Sequence, residues 1–546
     1  MKRLLLLFLF LPLLLHAQEK LEEQWCSLLL EGITVGLFHQ TSWRTAEGLL
    51  RSEIEQTMEI RRFGVPFSMT QTDVWIEEKN GALVSVSSEL DMNGQGQLVE
   101  AEVAGGDLRV RIRRGDGREE MLLPFEEQPR GLFAVGQEII AMISGGNAEG
   151  ELEYRLFSPE TMKIEKFSLR VLGSGELTDS LGRAHRGVLV EERSSSLPGI
   201  VTTEVYNDQA KFLYSKTPVG LELEILRLEG DPRGRQVGKP AAEPGTFPGD
   251  DPPEEFAAVF DVASLTVPVR GLGGLSLEST EVLTVRFRGR GVSVLYKAVL
   301  SAEEDLASPD GGGAGVRAGA DAQAESGELP LRIVSVQKDA RGQVSELVLR
   351  LARRPPADNW AGFPGEPIPP EAEAYLKGGF HLNLADPRLA RLLDRCGGGS
   401  ETGGGTAAGH AETVLCLEQL VDRYIQKKSL AYGFAGLEEV LSKREGDCTE
   451  HALLLVALLR KSGIPSRLAY GLILTEIGFI GHAWVEAYGG ARWNWLDPSF
   501  PEELPYGLKI RLGVMDPAEP IWASLSLTLL QVVGSVKGEI LEGQLR

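Results

Sequence analysis

From residue 31 to residue 228 apolar and polar positions alternate over short runs, as in residues 52–61, 83–90, 108–112 and 201–206. A period of two places one set of side chains on one face, the mark of half-buried strands. Polar turns at Lys79-Asn80-Gly81, Asn93-Gly94 and Gly115-Asp116-Gly117 separate the runs, so the region reads as antiparallel and β-rich. Residues 54–90 and 167–221 pass through similar strands into a polar turn, as a duplicated curved sheet would. Residues 256–353 are again strand-like, at 265–270, 281–288 and 346–351.

The pattern changes after Asp386-Pro387, which opens a helix over 388–395. Residues 412–426 and 437–442 also read as helices. The run from Leu453 to Leu459 is a further apolar helix, with Gly446-Asp447 before it as turn and N-cap. Gly463 and Pro465 end it. Two strands follow. One runs from His482 through Tyr488 after a turn at Ile480-Gly481. The other covers 493–497 and is stopped by Pro498, with Gly489 and Gly490 as the hairpin turn.

Composition divides the chain. Met1-Lys2-Arg3, an apolar run from Leu4 to Leu15, and His16-Ala17 predict a signal peptide over 1–17, too short to span a bilayer comfortably. No other transmembrane segment is predicted. A β-rich domain follows over 18–230, then a Pro-, Gly- and charge-rich linker over 231–255, a second β-rich domain over 256–384 and a C-terminal α+β domain over 385–546. Residues 354–370 are proline-rich. The glycine-rich stretches 308–327 and 396–410 cannot bury a core and are expected to be poorly ordered. With 78 acidic and 56 basic residues the net charge is −22, which argues against nonspecific nucleic-acid binding. Of four cysteines, Cys396 and Cys416 flank a glycine-rich loop and are candidates for a disulfide; Cys26 is then left over.

The fourth, Cys448, carries candidate chemistry. It falls in the first turn of the apolar helix, where unpaired amides and the helix dipole favour a thiolate. His482 and Asp497 lie on neighbouring antiparallel strands and can face each other across the pair. A thiol, a base and an orienter of the base form a nucleophilic triad. The bland reading of Cys448 is a buried small hydrophobe. His451 shares its helix face and reads as a packing or hydrogen-bonding residue ahead of a second base. Cys448 and His451 have half a zinc spacing, but no second pair follows; no metal or cofactor is expected. Arg467 reads as a structural charge near the site, and Trp484, Trp493 and Trp495 as core or pocket wall.

Four blocks in order carry a resemblance: Gly446-Asp447-Cys448-Thr449-Glu450-His451-Ala452; Leu459-Arg460-Lys461-Ser462-Gly463-Ile464-Pro465-Ser466-Arg467; His482-Ala483-Trp484-Val485-Glu486; and Trp495-Leu496-Asp497-Pro498. They resemble the transglutaminase-like superfamily, and within it the bacterial exported members. The resemblance implies a papain-like thiol fold with Cys448 as nucleophile, His482 as base and Asp497 as orienter. The superfamily includes crosslinkers, peptidases, amidases and inactive members. Animal transglutaminases use an upstream tryptophan as oxyanion donor, whereas no tryptophan lies between Trp360 and Cys448; Tyr432 is the nearest upstream aromatic donor. The N-terminal region resembles the β-rich modules that precede such domains in other exported bacterial proteins.

The expected protein is multidomain, periplasmic or secreted, and performs acyl transfer on an amide by hydrolysis or amine crosslinking. Its expected partner is a protein or peptide of the cell envelope. The alternative is an envelope binding or scaffolding protein whose thiol domain is inactive. Oligomeric state is left open.

Overall fold

The computed structural model describes residues 19–545 except 63, 116, 146–149, 197–199, 220, 233–265, 278, 308–330, 354–367, 380, 398–406, 431–434, 490–491, 501–507, 519–527 and 530. The predicted signal peptide, the segment 308–327, Tyr432 and all but the first two residues of the predicted linker lie outside the described residues.

The N-terminal region is one antiparallel sheet of 14 strands. The strands from Glu19–Leu30 to Gly117–Pro124 follow one another as neighbours, and those from Glu151–Ser158 to Leu221–Leu228 do the same. The two runs join where Leu221–Leu228 pairs with Glu19–Leu30. The first strand starts ahead of the alternation read from the sequence.

A helix, Leu132–Ser144, stands between the two runs. It was not legible in the strand pattern. Val135, Ile139 and Ile143 recur every four residues and are buried with Tyr154, Leu169, Val171 and Val190 of the second run. Its N-cap is Gly131, which has no side chain to cap with. Glu77 does so from a distance, accepting the Ala134 N–H at 3.2 Å. A Cβ at Gly131 would lie 1.6 Å from a Glu77 carboxylate oxygen, so only glycine admits this capping group.

The middle sheet has five strands in the order Val269–Arg270, Val536–Leu545, Thr280–Gly289, Val344–Ala352 and Leu331–Lys338. The last strand of the chain thus returns to pair with Thr280–Gly289. The all-strand expectation for residues 256–353 is corrected by a helix, Val292–Ala307. Its buried Val292, Leu295, Val299 and Ala302 keep a helical spacing.

The C-terminal unit holds a four-stranded antiparallel sheet in the order Arg492–Leu496, Gly478–Gly489, Ser466–Thr475 and Lys509–Met515. Against it packs the helix Cys448–Lys461, buried from Thr449 through Arg460. Leu453, Leu454, Leu455, Leu458 and Leu459 share one core with Leu468, Ala483, Val485 and Ala487 of the sheet. Each such leucine contributes roughly 2 kcal/mol by leaving water.

Predicted helices appear as Pro387–Leu393, Ala407–Tyr424 and Leu437–Lys443. Asp386 caps the first by accepting the Arg388 N–H at 2.8 Å. The second begins inside the glycine-rich stretch 396–410, so residues 407–410 are helical and not irregular. The turn expected at Ile480-Gly481 is also corrected. Both residues lie within the strand Gly478–Gly489, paired with Ile473 and Leu472. The reversal falls instead at Glu476-Ile477, because cross-strand pairing overrides the turn propensity of a single glycine. Among the described residues no helix is long and apolar enough to cross a membrane.

Candidate active site

The turn before Cys448 is built by its own motif. Asp447 is the N-cap and accepts the Thr449 N–H at 2.9 Å. Glu450 reaches back and accepts the Asp447 N–H at 2.8 Å, closing a capping box. Its other oxygen accepts the Ala435 N–H at 3.0 Å, which ties the preceding loop to the helix. Burial, then the Asp447 charge, holds the Glu450 carboxyl well above its ordinary range. Gly446 makes room for this: a Cβ there would sit 2.3 Å from the Glu450 Cβ. Gly-Asp-Cys-Thr-Glu is therefore a unit that opens a helix with Cys448 at its first position. The Cys448 thiol is half-buried, and Cys26 is fully buried. Burial pushes the Cys26 thiol up to about 12, which leaves it unreactive at neutral pH.

His451 is buried, and its Nδ1–H donates to the Asp447 carbonyl at 2.6 Å. Burial lowers its pKa. A neutral ring hydrogen-bonded to its own helix fits the packing role.

His482 lies on the strand Gly478–Gly489, and Asp497 just past the end of the strand Arg492–Leu496. The register pairs Val485 with Leu496. The two residues therefore meet on a diagonal, not directly across the pair as expected from sequence. His482 Nε2–H donates to Asp497 Oδ2 at 2.9 Å, and both side chains are buried. Phe500 lies beside the imidazole, with ring centroids 5.1 Å apart.

Two groups that the sequence reading did not single out hold Asp497. Lys509 Nζ is 2.8 Å from the same Oδ2. Glu418, on the helix Ala407–Tyr424, accepts the Asp497 backbone N–H at 2.6 Å. Burial alone would push the Asp497 carboxyl up, but Lys509 and His482 outweigh it and hold the group well below the carboxylate range. The aspartate is thus charged at every working pH. Neither partner carried a motif: Lys509 and Glu418 are remote in sequence and become neighbours only through the fold. Two residues before Glu418, Cys416 is disulfide-bonded to Cys396.

Arg467 is more deeply committed than a charge near the site. Its Nε donates to Glu486 Oε2 at 2.9 Å, and Glu486 is fully buried. Trp495 Nε1–H donates to Glu486 Oε1 at 2.9 Å. The Arg467 guanidinium lies 3.9 Å from the centroid of the Trp493 ring. Trp484 is fully buried. The three tryptophans are thus core and support. Among the described residues no group of three or more metal-ligating side chains converges.

Residues 402–498 match the family model of the transglutaminase-like superfamily. A comparison with curated proteins finds no match. Among solved structures, a β-barrel-like protein of unknown function from Brucella abortus aligns over 38% of this chain and 95% of its own, at 9% identity and a TM-score of 0.28. A candidate cysteine protease from Cytophaga hutchinsonii aligns over 49% and 87%, at 14% identity and 0.25. The periplasmic domain of TgpA from Pseudomonas aeruginosa, crystallised with ethylmercury, aligns over 32% and 68%, at 18% identity and 0.21. With the ordered motif blocks in place around Cys448, His482 and Asp497, the C-terminal part of the chain, over residues 402–498, is a transglutaminase-like domain.

Proposed function

We propose that this protein is an exported thiol enzyme that performs acyl transfer on amides, with Cys448, His482 and Asp497 as its triad. The observation that carries the reading is the buried 2.9 Å bond from His482 Nε2 to Asp497 Oδ2, which leaves His482 Nδ1 for the thiol. The cysteine sits at a helix start, on a helix that packs against the histidine strand.

In the proposed reaction His482 Nδ1 takes the Cys448 thiol proton as sulfur attacks the amide carbonyl. The Cys448 backbone N–H at the helix start donates to the oxyanion. The C–N bond breaks as His482 returns the proton to the leaving amine, giving a thioester and a free amine. Water, deprotonated by His482, then releases the acid; an amine in its place gives a crosslink. Asp497 holds the imidazole in the tautomer with Nε2–H and stabilises the imidazolium. Hydrolysis is favoured over crosslinking, because water is always present and no amine-binding feature is visible among the described residues.

Export is supported by the Cys396–Cys416 disulfide, which belongs to an oxidising compartment. The substrate is a protein or peptide of the cell envelope. An assay scoring amide hydrolysis and amine incorporation side by side tests the reaction. Wild-type protein should hydrolyse a peptide amide and Cys448→Ala should not. Equal behaviour of the two on every substrate favours a binding or scaffolding role.

A further inference from the structure

We propose that Lys509 is a positioning residue that shares Asp497 with His482 and so weakens the grip of the aspartate on the His482 imidazolium. The inference rests on the triad reading above and adds a fourth member to it.

The geometry is specific. Asp497 Oδ2 receives His482 Nε2 at 2.9 Å and Lys509 Nζ at 2.8 Å, while Oδ1 accepts the Ser499 N–H at 3.3 Å. Lys509 is 3% exposed. Its ammonium lies 5.9 Å from the centroid of the buried Trp484 ring. A buried lysine is costly unless a carboxylate pairs with it. Asp497 is such a carboxylate, so Lys509 already draws on its negative charge before His482 gains a proton.

The consequence is electrostatic. In an aspartate–histidine pair alone, the carboxylate stabilises the imidazolium in full. Here the imidazolium would be the second cation on one carboxylate oxygen. Cation repulsion across that oxygen disfavours protonation of His482. Asp497 then holds a protonated ring less tightly than it would with Lys509 absent.

Among the described residues, the other charges on the elements that meet here are engaged elsewhere. Arg511, two residues along the strand of Lys509, has Nε 3.5 Å from Glu486 Oε1. Glu486 is also the partner of Arg467. Glu418 is engaged by the Asp497 N–H. Asp447, Glu450 and His451 bond to one another at the start of the cysteine helix. Beyond Asp497, Lys428 donates to the Ser499 carbonyl at 2.6 Å and pairs with Asp422 at 2.9 Å. The helix Val292–Ala307, which also packs on the strand of Lys509, buries Val292, Leu295 and Val299.

The test needs no substrate. The chain has 7 histidines, few enough to follow by ring-labelled NMR in the full protein. The His482 titration is measured in wild type, Lys509→Arg and Lys509→Gln, with assignment by His482→Ala. Glutamine keeps a donor and fills the space, and a thermal melt of each variant confirms folding. The His482 midpoint should rise by about one pH unit in Lys509→Gln and stay put in Lys509→Arg. An unchanged midpoint in Lys509→Gln overturns the proposal. Alkylation of Cys448 by iodoacetamide, run in parallel on His482→Ala, separates the two readings. If His482→Ala leaves that rate unchanged, the triad itself is wrong. If the rate drops but the Lys509→Gln midpoint does not move, only the role of Lys509 fails.

Discussion

Glu418 accepts the backbone N–H of Asp497 at 2.6 Å, so the partner of His482 is held from behind by a helix that begins at residue 407. This bond fixes the chain where the strand Arg492–Leu496 ends and the side chain must swing back towards His482. Glu418→Ala should leave the Asp497 N–H buried without a partner, at a cost of about 1–3 kcal/mol. Activity should fall about tenfold or more through misplacement of Asp497, read as kcat/KM on a peptide amide. Glu418→Gln, which keeps an acceptor, should recover most of it.

The Cys396–Cys416 disulfide anchors the same helix two residues from Glu418. Closing a loop of this size stabilises a domain by about 3 kcal/mol in the chain-entropy account. Reductant should therefore lower the melting temperature of the C-terminal domain. The Cys396→Ser, Cys416→Ser double variant should show the lowered value without reductant and no further response to it.

Arg467 and Glu486 make a buried pair whose side chains are 5% and 0% exposed. Arg467→Ala leaves Glu486 facing Arg511 at 3.5 Å and the Trp495 N–H at 2.9 Å. The loss should be about 3–5 kcal/mol, because a buried charge loses its closest partner. Urea unfolding of the full chain, followed by tryptophan fluorescence, checks it. Arg467→Lys should be intermediate, since a lysine cannot reproduce the guanidinium stacked on Trp493.

The N-terminal sheet should lose stability as pH rises. Burial pushes the Asp73 carboxyl up to about 6 and the Glu77 carboxyl up to about 7, from 3.8 and 4.5. Both folded values lie above the unfolded ones, so the folded state binds protons more tightly. The stability they contribute is complete below about pH 4 and is lost as pH climbs through 6 and 7. Glu77 is also the group that caps the helix Leu132–Ser144. Hydrogen exchange in that helix, corrected for intrinsic rate, should be faster at pH 8 than at pH 5. Glu77→Gln should flatten the difference.

Local chemistry was readable in the sequence, and long-range pairing was not. Asp447 as N-cap, Cys448 at the helix start, the alternating strands before residue 230, and Cys396 with Cys416 all follow from neighbours in the chain or from composition. The helix Leu132–Ser144 was hidden because thirteen residues between strands gave too little periodicity to stand out. The helix Val292–Ala307 was masked by β-branched valines, which favour strands until packing decides otherwise. Lys509 looked like any charged residue near a strand. Nothing local marks a lysine whose partner is Asp497, or a final strand that returns to Thr280–Gly289.

If His482 and Asp497 activate Cys448, the reactivity of its thiol must depend on both. The most direct test is the pH dependence of iodoacetamide labelling at Cys448, followed by peptide mass spectrometry in wild type, His482→Ala and Asp497→Asn. Cys26 is buried, and Cys396 and Cys416 are paired, so labelling reports one thiol. Labelling should be fast and confined to Cys448, strongly slowed in His482→Ala and less so in Asp497→Asn. Slow labelling that follows a simple thiol titration near pH ~8.5, identical in all three proteins, would contradict activation by His482 and Asp497.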